Sequence, residues 1–177
     1  MAQVALLPCI MPHPAASKLL QAAREGEDAS ILKLFADHGP LLSSFPSGSF
    51  SPLHASASAG HCGAVILLLQ AGFSPRIEDD AGVTPLHYAC AQSKADCAFA
   101  LIRAKADVTA PDGFGRHCWD IAKARRDVEM FRLVVDAVEE YVQDLEDEVR
   151  RAAGSSQEQV EETLKQSFGI IMGSPVR

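Results

Sequence analysis

Aromatic side chains are scarce in this sequence: eight Phe, two Tyr and one Trp, 6% of 177 residues. A core built without them must come from Ala, Leu, Val and Ile, which favours closely packed helices over a β-sandwich. Long apolar runs are missing too. None exceeds the length of Ala64 to Leu69, far below the roughly 20 residues a membrane-spanning helix requires. Positive charge is not in excess either. The formal net charge of −7 argues against a general nucleic-acid binder, which would present a basic surface. Five cysteines, an odd number without CxxC spacing, do not make a secreted disulfide framework. Reduced thiols inside the cell, in cytoplasm or nucleus, are the expectation. The first stretch, "MAQVALLPCIMPHP", has an apolar part but no positive n-region and no arginine, and prolines interrupt it. Residues 1–14 therefore read as a leader or small cap rather than a targeting signal.

What the sequence does have is a period of 33. "SPLHASASAGHCGAVILLLQAGFSPRIEDDAG" from Ser51 superposes without a gap on "TPLHYACAQSKADCAFALIRAKADVTAPDGFG" from Thr84. Pro52 falls on Pro85, Leu53 on Leu86, His54 on His87 and Leu68 on Leu101. Downstream, Gly115 falls on Gly82, Trp119 on Leu86 and Ala122 on Ala89. Upstream, "LLQAAREGEDASILKLFADHG" from Leu19 keeps the apolar spacing with one extra residue. Each Ser/Thr-Pro pair reads as a helix start, because the hydroxyl caps an orphan amide and proline has no amide to lose there. A short Ala-rich helix (Ala55, Ala57, Ala89, Ala91) is followed by a bulkier one, with Val65, Ile66, Leu68 and Leu69 and then Phe99, Leu101 and Ile102. Gly72 stops the second helix, and "FSPRIEDDAG" suits an extended hairpin turning near Gly82. One such unit cannot bury its own apolar face, so stability must come from stacking.

Thr84-Pro85-Leu86-His87, the same motif with Ser51, the Gly60-His61 pair, "ILLLQAG" and Gly82 resemble the ankyrin repeat family. The resemblance implies an all-α solenoid of about four units over 15–137, divided near 15–48, 49–81, 82–114 and 115–137. The outer units depart from the motif, with "SKLL" and "HCWD" in its place, as terminal repeats do when one face meets water. It further implies that the motif histidine bonds within its turn and ties adjacent units together.

Histidine and cysteine content invites a metal, but the spacing does not. His54 and His87, one repeat apart, should sit roughly 8–10 Å from each other, whereas zinc holds its ligands at about 2.0–2.3 Å. No metal or other cofactor is expected. Cys90 and Cys97 read as small core residues. Asp79 and Asp80 read as solvated turn formers rather than a catalytic pair. Without a phosphate loop, a G-x-S-x-G elbow or an H-E-x-x-H motif, enzymatic activity is not expected.

The resemblance places protein binding on the hairpin tips and the exposed side of the inner helices. Carried over, those positions are Phe45, Ser47 and Phe50, then Glu78, Asp80, Val83 and Gln92, then Phe114, Arg116 and Arg125. Aromatic and Arg anchors dominate interface energies, so the three turn phenylalanines are the foremost candidates, Phe114 between its two glycines above all. From Val128 a long helix is expected, with a stripe of Phe131, Val134, Val138, Val142, Leu145 and Val149. Its opposite face is acidic, with Asp136, Glu139, Glu140, Asp144, Glu146, Asp147 and Glu148. Its extension over 138–153 leads to a linker and docking tail over 154–177, where Phe168, Ile170, Ile171 and Met172 are too apolar to lie idle. The expected partners are proteins, engaged as adaptor, inhibitor, assembly subunit or chaperone of a basic client, with neither nucleic acid nor membrane involved.

Overall fold

The computed structural model describes residues 14–38 and 48–153, which form eight α-helices in four pairs. The pairs are α1 (Pro14–Glu25) with α2 (Asp28–His38), α3 (Pro52–Ala59) with α4 (Cys62–Gln70), α5 (Pro85–Ala91) with α6 (Ala95–Arg103), and α7 (Cys118–Arg125) with α8 (Val128–Ala153). The first helices stack as one layer, α1–α3–α5–α7, and the second helices as another, α2–α4–α6–α8. This is an all-helical solenoid closed by a long C-terminal helix. No β-strand forms among the described residues. The connections are tight turns, with one isolated bridge between Gly48 and Asp79.

The helix starts follow from their caps. Ser51 and Thr84 are extended, with Pro52 and Pro85 opening the helices behind them. Nδ1 of His54 accepts the Ser51 amide at 3.1 Å and lies 2.8 Å from its hydroxyl. His87 repeats this with Thr84 at 3.3 and 2.8 Å. In α7 the same geometry is built with other chemistry: His117 is the cap, and Asp120 accepts its amide at 3.0 Å. Nε2 of His54 then donates to the Val83 carbonyl at 3.0 Å, tying one repeat to the next. The counterpart of that carbonyl for His87 is Arg116, but buried Nε2 of His87 makes no hydrogen bond of normal geometry.

Burial holds both motif histidines below their ordinary pKa, against the opposing pull of the Val83 and Arg116 carbonyls. An unfolded histidine takes up a proton near pH 6.5, while these stay neutral in the fold to lower pH. The unfolded chain thus binds more protons in that window, so stability falls as pH drops from about 6.5 through the folded pKa. The urea midpoint should be level above pH 7 and decline toward pH 5.5, with a shallower decline in His54→Gln. A midpoint unchanged over that range would contradict the assignment.

Left-handed residues close each repeat at fixed points. After the first helices these are Gly26, Gly60, Ser93 and Arg126, and after two of the second helices Gly72 and Lys105. After the first helices, the residue following Gly60, Ser93 and Arg126 meets the counterpart of that point in the preceding repeat. The His61 ring packs where a Cβ on Gly26 would stand, and the Lys94 stem does the same over Gly60. Asp127 bonds Ser93, which holds its carboxyl below the usual range.

The core lies between the layers. Leu19, Leu53 and Leu86 share one register and are fully buried, and Leu68, Leu101 and Val134 share another. Each buried leucine stabilises by about 1.5–3 kcal/mol relative to exposure. Ala55, Ala57, Ala89 and Ala122 are buried in the first layer and let its backbones approach closely. Two residues counted above with the bulky layer do not belong to it. Ile66 is 42% and Phe99 56% exposed. Every residue from Val65 to Leu69 is apolar, so periodicity could not tell the outward position from its neighbours.

On α8, Val134, Val138 and Val142 are buried in the same core as Ala106 and Val108, with Phe131 and Leu145 half-buried. The helix thus caps the last repeat through Val142. Asp136, Glu139, Glu140, Asp144 and Asp147 are exposed, and Asp144 reaches Lys105 at 3.6 Å. The side chains of Glu146, Glu148 and Val149 lie outside the described set, as do residues 154–177.

Candidate functional site

The turns before α5 and α7 are copies of one design, built on an aspartate. The Asp79 amide donates to the Val83 carbonyl at 3.1 Å, and that of Asp112 to the Arg116 carbonyl at 2.8 Å. Oδ1 of Asp79 accepts the amides of Ala81 and Val83, both at 2.9 Å. Oδ1 of Asp112 accepts those of Phe114 and Arg116, also at 2.9 Å. The remaining oxygen is anchored by side chains. Tyr88 donates to Asp79 at 2.8 Å, and Arg116 grips Asp112 with Nε at 2.9 and Nη2 at 2.7 Å. Burial alone would raise both carboxyls, but these donors outweigh it and hold them below the ordinary range. The Tyr88 hydroxyl, half-buried against that carboxylate, is pushed up to about 12. Asp79 is therefore not the solvated turn former expected of it. The backbone folds around it, and its counterpart is Asp112, one repeat on, rather than its neighbour Asp80.

Adjacent turns also touch. The Gly113 amide donates to the Ala81 carbonyl at 2.9 Å, and a Cβ on Gly113 would stand 2.3 Å from that oxygen. Glycine is required there for close approach, not for an unusual φ.

On this frame Phe114 stands at a turn tip with 75% of its surface exposed. The Arg116 guanidinium lies over its ring at 5.1 Å, so the bidentate bond to Asp112 positions cation and ring together. Phe50 is placed differently. It is half-buried, stacks on His54 with centroids 5.5 Å apart and meets Tyr88 edge-on at 5.5 Å. Phe50, Val83 and Arg116 hold one register in successive repeats, each directly before a cap, whereas Phe114 sits two residues nearer the tip. Val83 is half-buried with its carbonyl bonded to His54. Glu78 and Asp80 are exposed, and the Glu78 carbonyl accepts the Gly48 amide at 3.2 Å. Gln92 and Arg125 are exposed at matching ends of α5 and α7. Phe45, Ser47, Phe168, Ile170, Ile171 and Met172 lie outside the described residues.

No three His, Cys, Asp or Glu side chains group to hold a metal ion among the described residues. Cys62, Cys90, Cys97 and Cys118 are free thiols. Burial raises the thiol of Cys97 to about 11, and that of Cys118 is also raised, by its bond to Cys90 and by burial. No described helix is long and apolar enough to cross a membrane.

Paired helices in two layers, with rigid turns presenting side chains along one edge, define a helical repeat solenoid. Residues 19–112 match the family described as ankyrin repeats (3 copies), and the chain belongs to that family. The match ends at Asp112, and α7 and α8 continue the same stacking beyond it. No match was found among curated proteins. Ankyrin repeats are generally protein–protein interaction modules.

Proposed function

We propose that this chain is a non-catalytic binding subunit, an adaptor or inhibitor, which engages a partner protein through its turn tips and first helices around Phe114 and Arg116. The observation that carries this reading is Phe114. A large apolar ring three-quarters exposed is costly to leave in water, and its turn is fixed by a buried carboxylate, so ordering it on binding costs little. Gln92 and Arg125, together with Glu78 and Asp80, would supply the polar rim. The test is affinity purification from native lysate with the full chain, Phe114→Ala and Phe99→Ala. Phe114→Ala should weaken capture of the partner at least ~10-fold, as expected for a central aromatic anchor, while Phe99→Ala leaves it unchanged. Equal capture by all three would sink the proposal.

The exposed acidic face of α8 supports a second reading, a chaperone that shields a basic client protein. The two differ in salt response. Charge-led binding weakens steeply between 50 and ~300 mM salt, whereas an aromatic anchor is largely insensitive to it.

A further inference from the structure

Leu32, Ile66 and Phe99 are each the fifth residue of their helix, α2, α4 and α6. All three are exposed, at 54, 42 and 56%. Since the second helices stack in that order, the three side chains form one apolar line across the second layer. Neighbouring axes about 8–10 Å apart give it a length of about 20 Å. In α8 the corresponding position is Arg132, exposed and 3.9 Å from Asp136, so the line stops at the last repeat. The middle helix, "CGAVILLLQ", carries no charge.

We infer that this line is the docking site of the chain's own segment Phe168–Met172. Several observations favour that occupant. The run from Gln166 to Val176 is uncharged and holds Phe168, Ile170, Ile171 and Met172, so laying it on uncharged α4 desolvates no ionised side chain there, while at the α6 end the Arg103 guanidinium lies 6.0 Å over the Phe99 ring. About six extended residues match the line's length at 3.3 Å each. The connection also reaches. Stepping back along α8 from Ala153 to the level of Arg132 is about 32 Å, and crossing one helix to Phe99 adds about 10 Å sideways. The stretch from Ala153 to Phe168 spans up to ~50 Å when extended. A second copy of the chain fits less well, because a strip one side chain wide falls far short of the roughly 800 Å² per partner of a stable interface.

The experiment uses the full chain with a photo-crosslinking phenylalanine analogue in place of Ile66, and in a second preparation in place of Phe114. Irradiation should give, from position 66 only, an adduct of monomer mass that maps to residues 166–176. Adducts of dimer mass from position 66, or none reaching the tail, would overturn the inference. Hydrogen exchange provides an independent reading. Amides of 168–172 should exchange at least ~10-fold more slowly than an unstructured peptide, and Ile66→Asp or Phe99→Asp should abolish that protection while Phe114→Ala does not. Both Asp substitutions fall at exposed sites, so unchanged helical circular dichroism verifies the fold. Protection that survives both of them, or that is absent from the parent chain, also overturns it.

Discussion

Replacing Asp112 by alanine is expected to lower stability by about 3 kcal/mol and to abolish partner binding together. Its carboxylate is 1% exposed and takes two backbone amides and both arms of Arg116. Alanine leaves those donors without an acceptor, each costing about 1–3 kcal/mol to the extent that water cannot reach it. The turn then loses the shape that places Phe114 beside the guanidinium. Asp112→Asn separates the two contributions, because an amide oxygen can still accept both backbone N–H groups while the charge pairing is gone. It should cost about 1–2 kcal/mol, because its NH2 group faces the Arg116 donors where the carboxylate accepted them. It should retain the binding that depends on the turn while losing the contribution of the Arg116 guanidinium over Phe114. Urea denaturation beside a binding titration on the same preparations checks this; equal losses from Asn and Ala would show that charge, not turn geometry, carries the effect.

Leu68→Ala is the second large effect, expected at about 3–4 kcal/mol within the range for buried leucines. Leu68 is fully buried in α4, which packs against both α2 and α6. In a solenoid each repeat is stabilised by its neighbours, so a cavity here loosens two junctions at once. Unfolding followed by circular dichroism should shift to lower urea and broaden, as the first repeat separates from the later ones. The exposed Gln70→Ala in the same helix should stay within about 0.5 kcal/mol. A sharp, merely shifted transition in Leu68→Ala would mean that the stack still unfolds as one unit.

The two helix starts at Pro52 and Pro85 were legible because cap, proline and histidine each have one mechanical role at a fixed offset. The start of α7 was harder to read, since His117 and Asp120 exchange those roles. The turn aspartates were legible only across repeats: "DDAG" at Asp79 and "DGFG" at Asp112 share the aspartate and the closing glycine, while Asp80 draws the eye to the wrong pair. Register also separates Phe50, directly before a cap, from Phe114 at a tip, which residue type alone does not. The outward positions of Ile66 and Phe99 were hidden inside apolar runs with no polar residue to mark the solvent side, and Leu32, beside Lys33, joins their line only once the repeats are stacked. Ser93 and Arg126 could not be read as left-handed positions, because neither residue type favours that conformation; only their alignment with Gly26 and Gly60 reveals it.

The close approach of backbones in the first layer sets the step from one repeat to the next. Small residues hold one register through the first layer, Ser56, Ala89 and Ala122, all buried, and any change in spacing at one of them is passed to every repeat beyond it. The distance between the first turn and the last then depends on the spacing at Ser56, Ala89 and Ala122. A single methyl group added to one of them would act with the leverage of all the repeats beyond it. Affinity for a stiff ligand would thereby depend on residues that never touch it.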